Sequence, residues 1–125
     1  MYYTEALTIR RSLALRRPDV HRPALARTLH SLGALSVDEN RSAEARTFYE
    51  EALTIRQSLA VEKPDVYRPD LATTLLNLGV LSQAENRNAE ARTQYEQALT
   101  IYRPLAVEKP DVYRRDLRLL GAVNP

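Results

Sequence analysis

The sequence contains no cysteine, which removes disulfides and thiolate metal sites and leaves nothing that asks for an oxidising compartment. Glycine occurs three times in 125 residues, at Gly33, Gly79 and Gly121, each directly after a leucine. So little glycine leaves few tight turns and no phosphate-cradling loop, which argues against an all-β fold. No segment approaches the roughly 18 uninterrupted apolar residues that a membrane helix needs. The opening Met1-Tyr2-Tyr3-Thr4-Glu5 also lacks the basic-then-apolar order of a signal peptide, so the expected location is the cytoplasm. Histidine is limited to His21, in an expected loop, and His30, on an expected helix. With no cysteine and no serine at a suggestive distance from either histidine, neither catalysis nor a metal or other cofactor is expected.

What is present is a soluble globular composition, 44% hydrophobic and 27% charged, and a repeat. Tyr3, Tyr49 and Tyr95 lie 46 apart, as do Gly33 and Gly79. Residues 3–48 laid on 49–94 agree at 31 of 46 positions, and residues 95–117 agree with 49–71 at 18 of 23. The chain therefore holds two full periods and part of a third. Gly121 arrives 42 residues after Gly79, a deletion of about one helical turn.

Within a period the apolar spacing is helical. Leu71, Leu75, Leu78 and Leu81 advance by three or four, giving an A helix over 69–84; Ala91, Tyr95, Ala98, Tyr102 and Leu105 do the same for a B helix over 87–108. Pro69 and Asp70 suit a first helical turn, Asn40 and Asn86 suit a left-handed helix end, and Lys63-Pro64-Asp65 and Lys109-Pro110-Asp111 interrupt the B helices. The full expectation is helices over 2–16, 23–38, 41–62, 69–84 and 87–108 and a short one over 114–122. Hairpins of this kind bury their apolar stripes by stacking. The chain reads as an all-α solenoid of tandem antiparallel hairpins in one array over 1–125: a partial repeat at 1–17 holding only a B helix, repeats at 23–62 and 69–108, and a truncated A helix at 114–125.

Leu29, Leu32-Gly33, Ala45, Tyr49 and Ala52, repeated as Leu75, Leu78-Gly79, Ala91, Tyr95 and Ala98, resemble the tetratricopeptide repeat. The long B helix, the Ala-Leu-Thr-Ile-Arg segment and the Arg-Pro-Asp-Leu-Ala start are similar to the extended repeats of kinesin light chains and of many bacterial relatives. Ser36 and Ser82 stand where many members carry an aromatic, and asparagine replaces the usual inter-helix glycine. The resemblance implies a right-handed superhelix, small residues where the A and B helices approach, and a concave groove lined by A helices that binds partner segments.

The fifteen differences between the two full repeats include six on the A helix: Arg27/Thr73, His30/Leu76, Ser31/Asn77, Ala34/Val80, Val37/Gln83 and Asp38/Ala84. Their spacing makes one stripe beside the repeated leucines. The expected partner-binding residues are therefore Arg27, His30, Ser31, Ala34 and Asp38 in one repeat and Thr73, Leu76, Asn77, Val80 and Gln83 in the other. A protein or linear peptide with an apolar anchor and some acidic character is the expected ligand. The lysine-and-asparagine clamp by which some family members grip a C-terminal carboxylate is not matched by His30, Ala34, Leu76 and Val80.

Residues 1–30 carry a net charge of +4, 31–108 of −4 and the remainder +2. Arg10, Arg11, Arg16 and Arg17 could contact phosphates, but they also suit the negative end of a helix dipole, and the aromatics sit at packing positions, so nucleic acid is the weakest reading. Glu50 and Glu51 are expected in exposed salt bridges with Arg46 and Arg56. The half-repeats leave uncovered apolar faces: either the chain is a fragment or module of a larger protein, or its ends associate into a homo-oligomer. Sixteen arginines against two lysines fit a GC-rich, bacterial genome.

Overall fold

The helix-to-helix corners of this chain turn alternately on a proline and on an asparagine. The computed structural model describes the backbone of residues 2–123 and the side chains of 5–118. It contains six helices: α1 (Tyr2–Arg16), α2 (Pro18–Asp38), α3 (Ser42–Glu62), α4 (Pro64–Ala84), α5 (Asn88–Glu108) and α6 (Pro110–Val123). No strand occurs among the described residues, and the fold is an all-α helical repeat in which α2–α3 and α4–α5 are the A–B hairpins.

The expected starts of the A helices at 23 and 69, and of the last helix at 114, are each too late. The helices begin at Pro18, Pro64 and Pro110, and Pro23 and Pro69 lie inside them. The physical reason is that one Pro-Asp step both ends the preceding B helix and opens the next one. Proline needs no amide partner at a first helical position, and Asp19, Asp65 and Asp111 face the positive end of the dipole. Arg17, Lys63 and Lys109 are single-residue linkers held near φ −135° and ψ 75° (−138°/76°, −137°/77° and −134°/69°), as expected for a residue before proline. Their carbonyls accept from the new helix, Tyr67 N to Lys63 O at 3.0 Å being one case.

The A helices close as expected. Asn40 (φ 59°) and Asn86 (φ 62°) adopt the left-handed conformation. Arg41 N donates to Ser36 O at 2.8 Å and Asn40 N to Val37 O at 3.0 Å; Arg87 N to Ser82 O and Asn86 N to Gln83 O repeat both distances. This is the paired bonding of a Schellman end.

The chain divides into two compact units, residues 1–62 and 63–125. In the first, α1, α2 and α3 enclose a core of Leu7, Ala14, Leu25, Leu29, Leu32 and Ala52, with Phe48 and Ile55 packed against it. Burying each leucine contributes about 1.5–3 kcal/mol. Arg11 on α1 donates to both carboxylate oxygens of Glu51 on α3 at 2.9 Å. In the second unit Leu75, Leu78, Ala91, Tyr95, Ala98 and Tyr102 are buried in α4 and α5. The Tyr102 and Tyr113 rings, 6.0 Å apart, join α5 to α6.

Glycine is required where A meets B. A Cβ on Gly33 would lie 2.6 Å from the Tyr49 ring, and one on Gly79 2.6 Å from the Tyr95 ring. Gly121 lies outside the residues whose side chains are described.

Candidate functional site

On α2 the residues Arg27, Ser31, Ala34 and Asp38 step by four, three and four, so the helix period aligns them in one stripe. Arg27, Ala34 and Asp38 are exposed and Ser31 half-buried. On α4 the corresponding stripe is Thr73, Asn77 and Val80, with Gln83 beside it; Thr73, Val80 and Gln83 are exposed and Asn77 half-buried. The two stripes differ in electrostatics. That of α2 has a cation at one end and an anion at the other, whereas that of α4 carries no charge.

His30 and Leu76 do not belong to these stripes. Leu76 is only 7% exposed, so this residue, expected to face a partner, is a packing residue. His30 turns toward α3: its ring lies 5.3 Å from that of Tyr49, tilted by 60°, and Nη1 of Arg56 is 3.0 Å from its Nδ1. Guanidinium can only donate, so Nδ1 is the acceptor and the imidazole proton resides on Nε2. Arg56 is itself buried, where its position on α3 suggests an exposed side chain.

The second unit fills the same place differently. Tyr102 stands in the register of Arg56, Leu76 in that of His30, and Thr73 in that of Arg27. The Tyr102 hydroxyl is 3.0 Å from Thr73 Oγ1. Thr73 Oγ1 is also 3.1 Å from the Pro69 carbonyl oxygen, and either hydroxyl can be the donor in the Thr73–Tyr102 pair. Burial, the largest influence, pushes the Tyr102 hydroxyl up to about 12, with the bond to Thr73 opposing. The Arg27/Thr73 and His30/Leu76 replacements read, from two repeats alone, as surface variation. The signal that separates them is the third register, in which Tyr102 replaces Arg56.

The far end of each stripe acts on the B-helix tyrosine, through a hydrogen bond in the second unit and electrostatically in the first. Tyr95 donates to Gln83 Oε1 at 2.8 Å. Burial raises the Tyr49 hydroxyl above its ordinary value, and the Asp38 carboxylate adds to that rise. Ser82, where many members carry an aromatic, is fully buried and donates to Gln94 Oε1 at 2.8 Å. In the first unit Phe48 occupies the register of Gln94, so a hydroxyl–amide pair there is replaced by an apolar ring.

Of the N-terminal arginines, Arg11 is engaged by Glu51, Arg10 is half-buried, and Arg16 and Arg17 are exposed at the end of α1. Glu50 pairs with Arg46 at 3.8 Å. His21 lies within α2 and not in a loop. Among the described residues no group of three His, Asp or Glu side chains could hold a metal ion, and no helix is long and apolar enough to cross a membrane.

No curated protein matches the chain at a significant level. The tetratricopeptide repeat family model matches residues 25–63 and 71–104. Each match runs along one A–B hairpin and takes in one of the two glycine–tyrosine contacts. With more than half of its length matched in this way, the chain belongs to the tetratricopeptide repeat family.

Proposed function

We propose that the chain is a non-catalytic scaffold that binds a protein segment or linear peptide on the variable stripes of its A helices. Tetratricopeptide repeats generally mediate protein–protein interaction and are generally not catalytic. The observation that carries the reading is the exposure of the stripe. Four of the eight variable pairs on α2 and α4, Arg27/Thr73, Ala34/Val80, Val37/Gln83 and Asp38/Ala84, are exposed in both repeats, while the repeated Leu29, Leu32, Leu75 and Leu78 are buried.

The ligand is an extended segment with an apolar residue for Ala34 or Val80 and amides or hydroxyls for Ser31 and Asn77. Arg27 supplies a carboxylate-binding position on the α2 stripe, and the α4 stripe, in the second unit, is uncharged. Kinship with the kinesin-light-chain type of repeat, a bacterial source and a cytoplasmic location complete the proposal. A peptide array probed with the wild-type chain identifies binders. Val80→Asp, at a residue 50% exposed, and Asn77→Ala each weaken them at least about tenfold, the loss of one apolar or hydrogen-bonding contact of about 1.4 kcal/mol. Binding unaffected by both substitutions overturns the A-helix reading.

A further inference from the structure

Two surfaces of the chain are open on one side, and the 46-residue register relates both to a packed contact inside the first unit. In that unit α3 covers α1 and α2: Ala52 shares a core with Ala14 and Leu25, and Ile55 packs against it. One register earlier, Ala6 and Ile9 on α1 correspond to Ala52 and Ile55. With Glu5, Arg10 and Leu13 they line a shallow depression of about 370 Å³, and Ile9 is 59% exposed. Two registers later than Ala14 and Leu25 stand Ala106 and Leu117. They line a second depression of about 370 Å³ between α5 and α6, with Pro110, Arg114 and Arg118. Ala14 and Leu25 are buried, whereas Ala106 and Leu117 are only half-buried.

We infer that the α1 face of one copy of this chain docks on the α5–α6 face of a second copy, reproducing between copies the way α3 covers α1 and α2. Charge complementarity selects this occupant. The internal contact is closed by Arg11 and Glu51 at 2.9 Å. Arg103 is the register equivalent of Arg11 and Glu5 that of Glu51, so docking sets Arg103 against Glu5 of the next copy. In the intermediate register both positions are amides, Gln57 and Gln97: charge is present at both members of the pair or at neither. A second internal bridge, Arg22–Glu62 at 4.0 Å, is not reproduced. Its equivalents are Arg114 and Arg16, two cations whose repulsion weakens the association. The contact is heterologous, using different surfaces on the two copies, so it does not close as a two-fold dimer. It does not depend on the A-helix stripes.

Sedimentation of the 125-residue chain over about 1 μM to 1 mM, a range reaching millimolar affinities, is expected to show mass rising above 14.2 kDa. Ile9→Glu and Leu117→Glu each hold the chain at the monomer mass. An equimolar mixture of the two forms a species of twice that mass, because each variant keeps the surface the other has lost. Arg103→Glu weakens association and Glu5→Arg in the same chain restores it; these side chains are exposed, so the pair remains a test even if Leu117→Glu fails to fold. Arg16→Glu tightens association at least about threefold, as expected for removing one exposed like-charge contact worth several tenths of a kcal/mol. A monomer at every concentration, a mixture that forms no heterodimer, or a charge reversal that restores nothing overturns the inference. Each of these outcomes leaves peptide binding by the A-helix stripes untouched.

Discussion

At Gly79 the distance between a helix backbone and a tyrosine ring decides the residue type. A methyl group 2.6 Å from Tyr95 Cε1 forces the ring, which is 2% exposed, out of its place. Gly79→Ala is expected to cost about 1–3 kcal/mol, the usual penalty of overpacking, read as a fall in the denaturant midpoint. The paired replacement of His30 and Arg56 by Leu76 and Tyr102 is a second residue-scale matter. His30→Leu alone removes the acceptor of a charge-assisted bond, worth about 1.5–3 kcal/mol. Adding Arg56→Tyr and Arg27→Thr installs the set used by the second unit, and a mutant cycle is expected to show positive coupling of about 0.5–3 kcal/mol; additive losses would contradict it. Tyr102 supplies a pH signature. Its hydroxyl is raised to about 12 in the fold against about 10 unfolded. Its contribution to stability is therefore complete below pH 10 and is lost as pH rises through 12. Tyr102→Phe should flatten the decline of melting temperature across that window. None of these pairings follows from helical periodicity, because each joins residues sixteen or more positions apart across a hairpin.

The scale of the helix is where the sequence is most legible and where it misleads in one specific way. The ends of the B helices at Glu62 and Glu108 and the left-handed Asn40 and Asn86 follow from local chemistry. The starts of the A helices do not, because Pro23 and Pro69 imitate a helix start while lying inside one. Pro18 and Pro64 are the true first residues, and a single linker residue is too short to be recognised as a corner. The third register carries Arg115 where the others have proline and is helical all the same, so proline is not what begins that segment. The asparagines offer a direct check. Asn86→Gly should leave stability unchanged or raise it slightly, whereas Asn86→Ala should lower it by about 1 kcal/mol, because a Cβ opposes the left-handed conformation. Thermal melts of the two variants distinguish the cases; equal melting temperatures would show that the two-bond closure of α4 does not depend on its φ of 62°.

For the molecule as a whole, the repeat makes the fold readable and the binding stripe partly so. Buried positions mostly repeat because each hairpin solves the same packing problem, and the A-helix stripe differs where no packing contact holds it. That logic places Arg27, Ser31, Ala34, Asp38, Thr73, Asn77, Val80 and Gln83 at the surface. It fails at His30 and Leu76, where two interior solutions differ. The measurement that bears most directly on the proposed function is nuclear magnetic resonance of the isotopically labelled chain titrated with a peptide selected on the array. Saturable shifts concentrated at the backbone amides of Arg27, Ser31, Ala34, Thr73, Asn77 and Val80 are the predicted result. Shifts confined to the exposed faces of α3 and α5, or to α1 and α6, with the A-helix amides unmoved, would contradict it.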